Sequence, residues 1–433
     1  MTIDTIVALA SGRLPSAVAV VRISGPAAWN AVAVLLRSPL PPPRRLSLRQ
    51  LWTPEGGKLL DTALVVVFPP PATATGEPVA ELHLHGGIAV VDDVLTALIV
   101  QPGVRLAEAG EFTRRAFDNN RLDLTQVEGL AYLIAAETTT QRQQALALTG
   151  GALRQLADHW REQIIAVLAE AEAGLDFAED EADVADRLVE TSSEKLGAIA
   201  VALDQLIADA GRAARIRDGL TIVISGAPNV GKSSLVNALV MRDAAIVTAI
   251  PGTTRDLVEV PISLEGIAAV IIDTAGLRDT DDPIEIEGIR RAQARAVDAD
   301  LVLNIVDFES SPAAYGSSWT VRNKVDLAGT AGFNADYCVS ALTGVGIGAL
   351  RGALAQWARD VIRPGEPALL VDVRHRVAFT AGADAVRAAA ATPDLVLRCE
   401  SLRHAAQALG RIAGRVEVDE IVGRIFSQFC IGK

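Results

Sequence analysis

The stretch from Leu220 to Val240 constrains this chain more than any other. An apolar run, Leu220-Thr221-Ile222-Val223-Ile224-Ser225, leads into Gly226-Ala227-Pro228-Asn229-Val230-Gly231-Lys232-Ser233-Ser234, and Leu235-Val236-Asn237-Ala238-Leu239-Val240 follows. The loop has the form G-x-x-x-x-G-K-[ST]. Its setting between a buried strand and a helix separates a phosphate-binding loop from a chance match. Backbone N–H groups and a helix N-terminus can face a phosphate, Lys232 adds a cation, and the Ser233 hydroxyl can ligate magnesium. A glycine-rich turn that binds nothing is the plainer alternative, and the segments downstream argue against it.

Thr248-Ala249-Ile250-Pro251-Gly252-Thr253-Thr254-Arg255-Asp256 is polar and turn-rich between apolar runs. A threonine in it can complete a magnesium shell once a γ-phosphate is bound, which makes the segment a candidate switch. The apolar run from Ile267 to Ile272 ends in Asp273-Thr274-Ala275-Gly276, where a carboxylate at a strand end holds magnesium through water and the glycine amide reaches the γ-phosphate. Trp319 to Arg322 deliver Asn323-Lys324-Val325-Asp326. The Asp326 carboxylate can accept two hydrogens from guanine, at N1 and the exocyclic amine, a pair that adenine does not offer. Ser340-Ala341-Leu342 follows a short strand and can meet the base through its backbone. The ordered set specifies GTP with magnesium. After Gly276 comes Leu277, where Ras-like GTPases carry a glutamine that orients the attacking water. Some other polar group must do this, and Asp279, Asp281, Asp282, Glu285 and Glu287 are all within range on the residues alone.

At 433 residues the chain is too long for one core and implies several domains. No apolar run reaches membrane-spanning length and no signal peptide is indicated, so the expectation is a cytoplasmic protein with no membrane partner. Cys338, Cys399 and Cys430 are scattered and odd in number, which supports neither a disulfide framework nor a zinc site. A formal net charge of −13 argues against coating nucleic acid by bulk electrostatics, and 4% aromatics argue against stacking platforms. Any RNA contact must be local or be made largely by a partner.

Residues 1–119 read as a small α+β domain. Strands are expected at Thr5–Ala10, Ala17–Ile23, Leu60–Phe68 and Ala80–His85, and helices at Ala27–Leu36 and Ile88–Ile99. Arg22 and Glu81 are charges inside strand patterns, and on the residues alone they sit on solvated faces or pair with each other. His83 and His85 share a strand face but lack a third metal ligand. Residues 120–218 show helical spacing, as in Leu153, Leu156, Trp160, Ile164 and Val167, with a break at Gly150-Gly151 and a connection in the acidic stretch Asp176–Asp186. The nucleotide module spans 219–363, and helical patterns resume over 364–433, at His375–Ala390, Cys399–Ile412 and Val418–Phe429. Helical blocks on both sides imply a Ras-like P-loop domain inserted in an all-α domain. Between Val306 and Trp319 only about a dozen residues intervene, near the minimum for a parallel crossover.

The module, its helical flanks, the β-rich N-terminal part, the Gly252-Thr253-Thr254-Arg255-Asp256 switch and the terminal Cys430-Ile431-Gly432-Lys433 resemble the MnmE (TrmE) family of tRNA modification GTPases over the whole chain. The resemblance implies a homodimer formed through the N-terminal domain. It also implies a heterotetramer-type complex with the FAD-containing partner MnmG (GidA), and tRNA as substrate. The reaction it implies installs an aminomethyl or carboxymethylaminomethyl group on carbon 5 of the wobble uridine, with a reduced folate, as the 5-formyl or 5,10-methylene derivative of tetrahydrofolate, as carbon donor. In place of an arginine finger it implies potassium, held by Asn229, Thr248, Thr253 and the Ile250 carbonyl, with Ser233 and Thr254 on magnesium. It selects Glu285 to position the water. Folate would be held by Arg22, Glu81, Arg121 and Lys433, and Cys430 would be needed for modification. A GTP-dependent RNA-binding switch in ribosome assembly is the alternative, which the acidic composition and the terminal motif disfavour.

Overall fold

The computed structural model describes residues 4–177, 182–227, 229–240, 259–273, 299–308, 318–328, 335–363, 368–412, 429 and 432. The chain divides into two compact units, one made of Met1–Ala131, Thr149–Arg154 and Gly410–Lys433, the other of Tyr132–Leu148 and Gln155–Leu409.

The first unit is built on a six-stranded sheet. Its elements in order are β1 (Thr5–Leu9), β2 (Ser16–Ser24), α1 (Ala28–Leu35), β3 (Ser47–Trp52), β4 (Leu59–Phe68), β5 (Val79–Gly86), α2 (Ile88–Ile99), β6 (Val104–Leu106) and α3 (Glu111–Asp118). The strand order is β3-β4-β5-β2-β1-β6, antiparallel except for the β1–β6 pair. Alternation decides which face is covered. In β5, Ala80, Leu82 and Leu84 are buried in a core with Val91, Val94 and Leu98 of α2, while Glu81, His83 and His85 fall on the opposite face. That opposite face is partly bare: Val18, Leu48 and Leu64 are exposed. It is covered at β1, where Ile6 and Ala8 pack with Ala107 and Phe112, and Val66 of β4 and Ser24 of β2 are buried on it as well.

The expected strands and both expected helices of this part are present, Ile88–Ile99 with the same bounds. Three elements were not anticipated. The strand β3 is an edge strand in which burial and exposure alternate, so no apolar run betrays it. The strand β6 has only three residues, and the charged α3 buries just Phe112, Thr113 and Ala116.

The second unit combines long helices with a second sheet. Its helices are the end of α4 (Leu124–Ala135), α5 (Thr139–Thr149), α6 (Ala152–Phe177), α7 (Ala182–Ala208) and α8 (Ala210–Asp218). The nucleotide module follows as β7 (Leu220–Ser225), α9 (Lys232–Val240), β8 (Glu259–Leu264), β9 (Ile267–Asp273), β10 (Leu301–Val306), β11 (Ser318–Arg322), α10 (Val325–Ala328), β12 (Tyr337–Cys338) and α11 (Ile347–Ile362). After it come α12 (Val373–Ala391) and α13 (Leu395–Gly410). The sheet order β12-β11-β10-β7-β9-β8 is parallel except for the β8–β9 hairpin, the arrangement of a Ras-like domain. All six residues of the central strand β10 are buried, as a parallel strand covered on both faces requires. The strands β10 and β11 are parallel neighbours, so the short link between them does close a crossover.

The helices run further into the acidic stretch than anticipated, with only 178–181 lying between α6 and α7. Gly151 does mark a break, at a φ of +83°. Arg398 of α13, 1% exposed, ties that helix to α7 by donating to the Val189 carbonyl and to the hydroxyls of Ser192 and Ser193. Its burial among neutral acceptors holds the guanidinium pKa below its usual value. No helix among the described residues is long and apolar enough to cross a membrane.

Candidate functional site

The phosphate loop shows why each residue type is needed. Gly226 stands at a φ of +149°, and a Cβ there would lie 2.2 Å from the Ile305 carbonyl oxygen of the neighbouring strand, so only glycine fits. Asn229, at a φ of +65°, occupies the left-handed region and is exposed. Lys232 opens α9, is 7% exposed, and donates to the carbonyls of Gly226 at 2.7 Å and Ala227 at 2.9 Å. That contact curls the ammonium back over the loop, where it supplies a positive charge beside the helix N-terminus. Ser233 and Ser234 are exposed on the first turn, and Val230 is buried beneath the loop.

Two distant segments complete the cradle, and Asn323 joins all three. It is 2% exposed; its amide nitrogen donates to the Val230 carbonyl at 2.9 Å, and its amide oxygen accepts from the Ala341 backbone at 3.0 Å. Lys324, at a φ of +62°, donates to the Asn229 carbonyl at 2.6 Å and lies 3.5 Å from the Asp307 carboxylate. Asp307 was not foreseen, because nothing local marks it. Asp326 is exposed on α10, free of burial that would compete with a purine. Ser340 is fully buried; its backbone carbonyl and its hydroxyl accept from Gly344 and Thr343 and shape the turn that carries Ala341 and the exposed Leu342. Asp273 ends β9, in register with Ile224 at the mouth of the loop. Of the other expected nucleotide and metal groups, Thr248, Ile250, Thr253, Thr254, Thr274, Ala275, Gly276 and Glu285 lie outside the described residues, as does Leu277.

The residues present fit a nucleoside triphosphate: a loop whose Gly226 and Gly231 leave no room for a Cβ against Ile305 and Asn323, a cation, hydroxyls for a divalent ion and a carboxylate for a guanine edge. Bound magnesium would be held from Ser233 and would offset phosphate charge.

The second candidate region lies on the open face of the first unit's sheet. Pairing sets Ala8, Arg22, Glu81 and Val66 in one row across four strands. Arg22 Nε donates to Glu81 Oε1 at 2.9 Å, so the two charges do pair, and His83 Nε2 lies 3.5 Å from the other Glu81 oxygen. The adjoining dyad is Asp61 with His85, at 2.8 Å. Gly432 comes to the same place from the far end of the chain. At a φ of +102°, a Cβ on it would lie 2.0 Å from the carbonyl oxygen of Leu9, one residue along from the Ala8–Arg22 row. Phe429 is buried against Leu124 and Val127 of α4. Phe429 and Gly432 thus lie against α4 and the end of β1, and Cys430 and Lys433 lie outside the described residues. Arg121 is exposed and sits beside Gly76.

Behind the row runs a network that sequence reading missed. Ser24 shares a hydrogen bond with Thr75 at 2.7 Å and donates to Glu77 at 2.6 Å; Arg115 reaches Glu77 and Asp4; Arg105 reaches Asp4 and Glu111. The hydrogen bond from Arg105 holds the Asp4 carboxyl below its usual pKa. For Glu111, burial alone would raise the pKa, and hydrogen bonds from Arg105, the Glu108 amide and Arg115 more than reverse it. Only the Glu111–Arg115 spacing of four was visible in the sequence.

Sheet order, phosphate cradle and guanine-reading segment define a P-loop GTPase carrying additional domains. A family model described as "MnmE helical domain" matches residues 124–430, and one described as "GTP-binding protein TrmE N-terminus" matches 5–121. The tRNA modification GTPase MnmE of Azorhizobium caulinodans is 48% identical over 99% of this chain and 99% of its own length. The protein of the same description from Methylorubrum populi is 50% identical over 99% of this chain and 98% of its own. The chain belongs to the MnmE family of tRNA modification GTPases.

Proposed function

We propose that this GTPase hydrolyses GTP with potassium and magnesium and that, as a homodimer with an FAD-containing partner of the MnmG (GidA) kind, it modifies carbon 5 of the wobble uridine of tRNA in the cytoplasm. A reduced folate donates the carbon. The observation that carries the reading is that Arg22 pairs with Glu81 on the open face of the sheet while Gly432, far away in sequence, lies against Leu9, one residue along from the same row. A carboxylate reads the amine and ring nitrogen of a pterin, and cations suit a glutamate tail. Lys433, the residue after Gly432, is assigned as one such cation. The exposed Val18, Leu48 and Leu64 of the same face supply apolar surface for a second copy.

For the nucleotide, the exposed Asn229 in the phosphate loop supports the potassium reading, with Thr248, Ile250 and Thr253 as further ligands and Thr254 joining Ser233 on magnesium. Glu285 positions the water. The domains follow the limits 1–119, 120–218, 219–363 and 364–433. Two measurements on the full chain test the reading. Hydrolysis should be several-fold faster in potassium than in sodium, and Asn229→Ala should abolish the difference while GTP still binds. Titration with 5-formyltetrahydrofolate should show saturable binding that Glu81→Gln weakens. Equal rates in the two salts would remove the potassium claim, and no binding at high micromolar ligand would remove the folate claim.

A further inference from the structure

The turn between β8 and β9 is held from outside the nucleotide module. Leu264 and Ile267 pair across it, and its two central residues, Glu265 and Gly266, have φ of +51° and +87°, the signature of a tight type I′ hairpin. The Gly266 carbonyl accepts two hydrogen bonds from Thr140 in the first turn of α5, one from its backbone amide at 3.2 Å and one from its hydroxyl at 2.9 Å. The first amides of a helix have no partner within it. Here the hairpin carbonyl is that partner, so α5 is capped by the module it touches. The same helix also holds the chain on either side of the module. Gln141 donates to the Arg217 carbonyl at 2.9 Å, just before β7, and Gln144 donates to the Ala368 carbonyl at 2.8 Å, just after α11.

The position of this hairpin gives the contact its meaning. The strand β8 begins three residues after Asp256, the end of the candidate switch, and β9 ends on Asp273, the first residue of the Asp-Thr-Ala-Gly segment. A hold on the turn bears along both strands, each of about 20 Å, toward the two segments to which the proposed function assigns the hydrolysis chemistry. The described residues that would meet the nucleotide lie in the phosphate loop, Asn323, Lys324 and the Ser340 turn, which are tied to one another and lie off the hairpin.

We infer, resting on the proposed assignment of residues 248–256 and 273–276 to hydrolysis, that Thr140 is a positioning residue for GTP hydrolysis: through the Gly266 carbonyl, α5 holds the turn of the hairpin that lies between those two segments in the sequence. Its loss should therefore change turnover and leave GTP affinity alone. A single neutral hydrogen bond corresponds to about a fivefold effect.

The test is steady-state phosphate release by the full chain with GTP, magnesium and potassium. Thr140→Val keeps the shape of the side chain and removes the hydroxyl; kcat should fall about fivefold with KM within about twofold of wild type. Thr140→Ser should restore kcat. Gln144→Met, which releases the hold at Ala368, should lower kcat in the same direction by about twofold. Glu265→Gln removes only an exposed ion pair with Arg359 at the same turn and should leave kcat unchanged. Wild-type kcat in Thr140→Val, a loss shared equally by KM, a Thr140→Ser as slow as Thr140→Val, or a Glu265→Gln that is as slow, would each overturn the assignment. A merely structural role would lower the melting temperature without separating kcat from KM.

Discussion

The phosphate loop and the Arg22–Glu81 row are both charged sites on a sheet, yet they are assembled in opposite ways. The loop gathers its cation, its hydroxyls and its backbone amides from nine consecutive residues, and two short segments joined through Asn323 finish it. The row draws on β1, β2, β4 and β5, and Gly432, more than three hundred residues after the last of them, lies against Leu9 beside it. A site made from contiguous chain depends on backbone conformation, so its weak points are glycines and the helix start. A site made from strand pairing depends on register, and its side chains can be changed with the sheet intact. The Arg22–Glu81 pair is partly exposed, which limits its contribution to stability to about 1 kcal/mol or less.

The largest expected effect is at the loop. Lys232→Ala removes the only side-chain cation among those nine residues and should lower kcat by about 10²- to 10³-fold, measured as phosphate release. A loss under about tenfold would mean that the loop is not where the charge of the reaction is offset. Next is Gly226→Ala, whose Cβ would collide with a strand carbonyl that cannot move away. It should cost about 2 kcal/mol or more of the second unit's stability, read by chemical denaturation, and should weaken nucleotide binding as well. Normal stability would show that the loop tolerates rearrangement and would erase the contrast with the row.

The row should behave differently. Glu81→Gln is expected to leave the melting curve within about 1 kcal/mol of wild type, while folate affinity falls by about tenfold, the worth of one charged hydrogen bond. Calorimetry with 5-formyltetrahydrofolate measures this, and undiminished affinity would remove Glu81 from the site.

The smallest effect concerns acid. Asp4 and Glu111 are both held below the usual carboxylate range in the folded state. A depressed pKa contributes stability that is complete above the unfolded value of about 4 and is lost as pH falls through the folded values. Acidification should thus weaken the first unit, and Arg105→Gln should shift the acid unfolding midpoint upward. An unchanged midpoint would show that the network behind the row carries no such linkage.

Much of the fold was legible. Apolar runs bounded by turn residues marked β1, β2, β4, β5 and most strands of the nucleotide module, because buried strands need such runs. The edge strand β3, the short β6 and the charged α3 escaped because their burial is partial. Within the candidate sites, Lys232, Asn323 and Asp326 could be named from local motifs. Asp307 beside Lys324, and the Asp4–Arg105–Glu111 network, could not, since no local spacing connects them.

By itself, then, the sequence determined what kind of nucleotide site this is, because a phosphate cradle is written in glycine positions, a lysine and a helix start that are adjacent in the chain. Tertiary structure alone decided that Arg22 meets Glu81, that Gly432 lies against Leu9, and that Thr140 caps its helix on Gly266. Those contacts depend on strand register and on how helices pack, and neither is encoded at any fixed spacing.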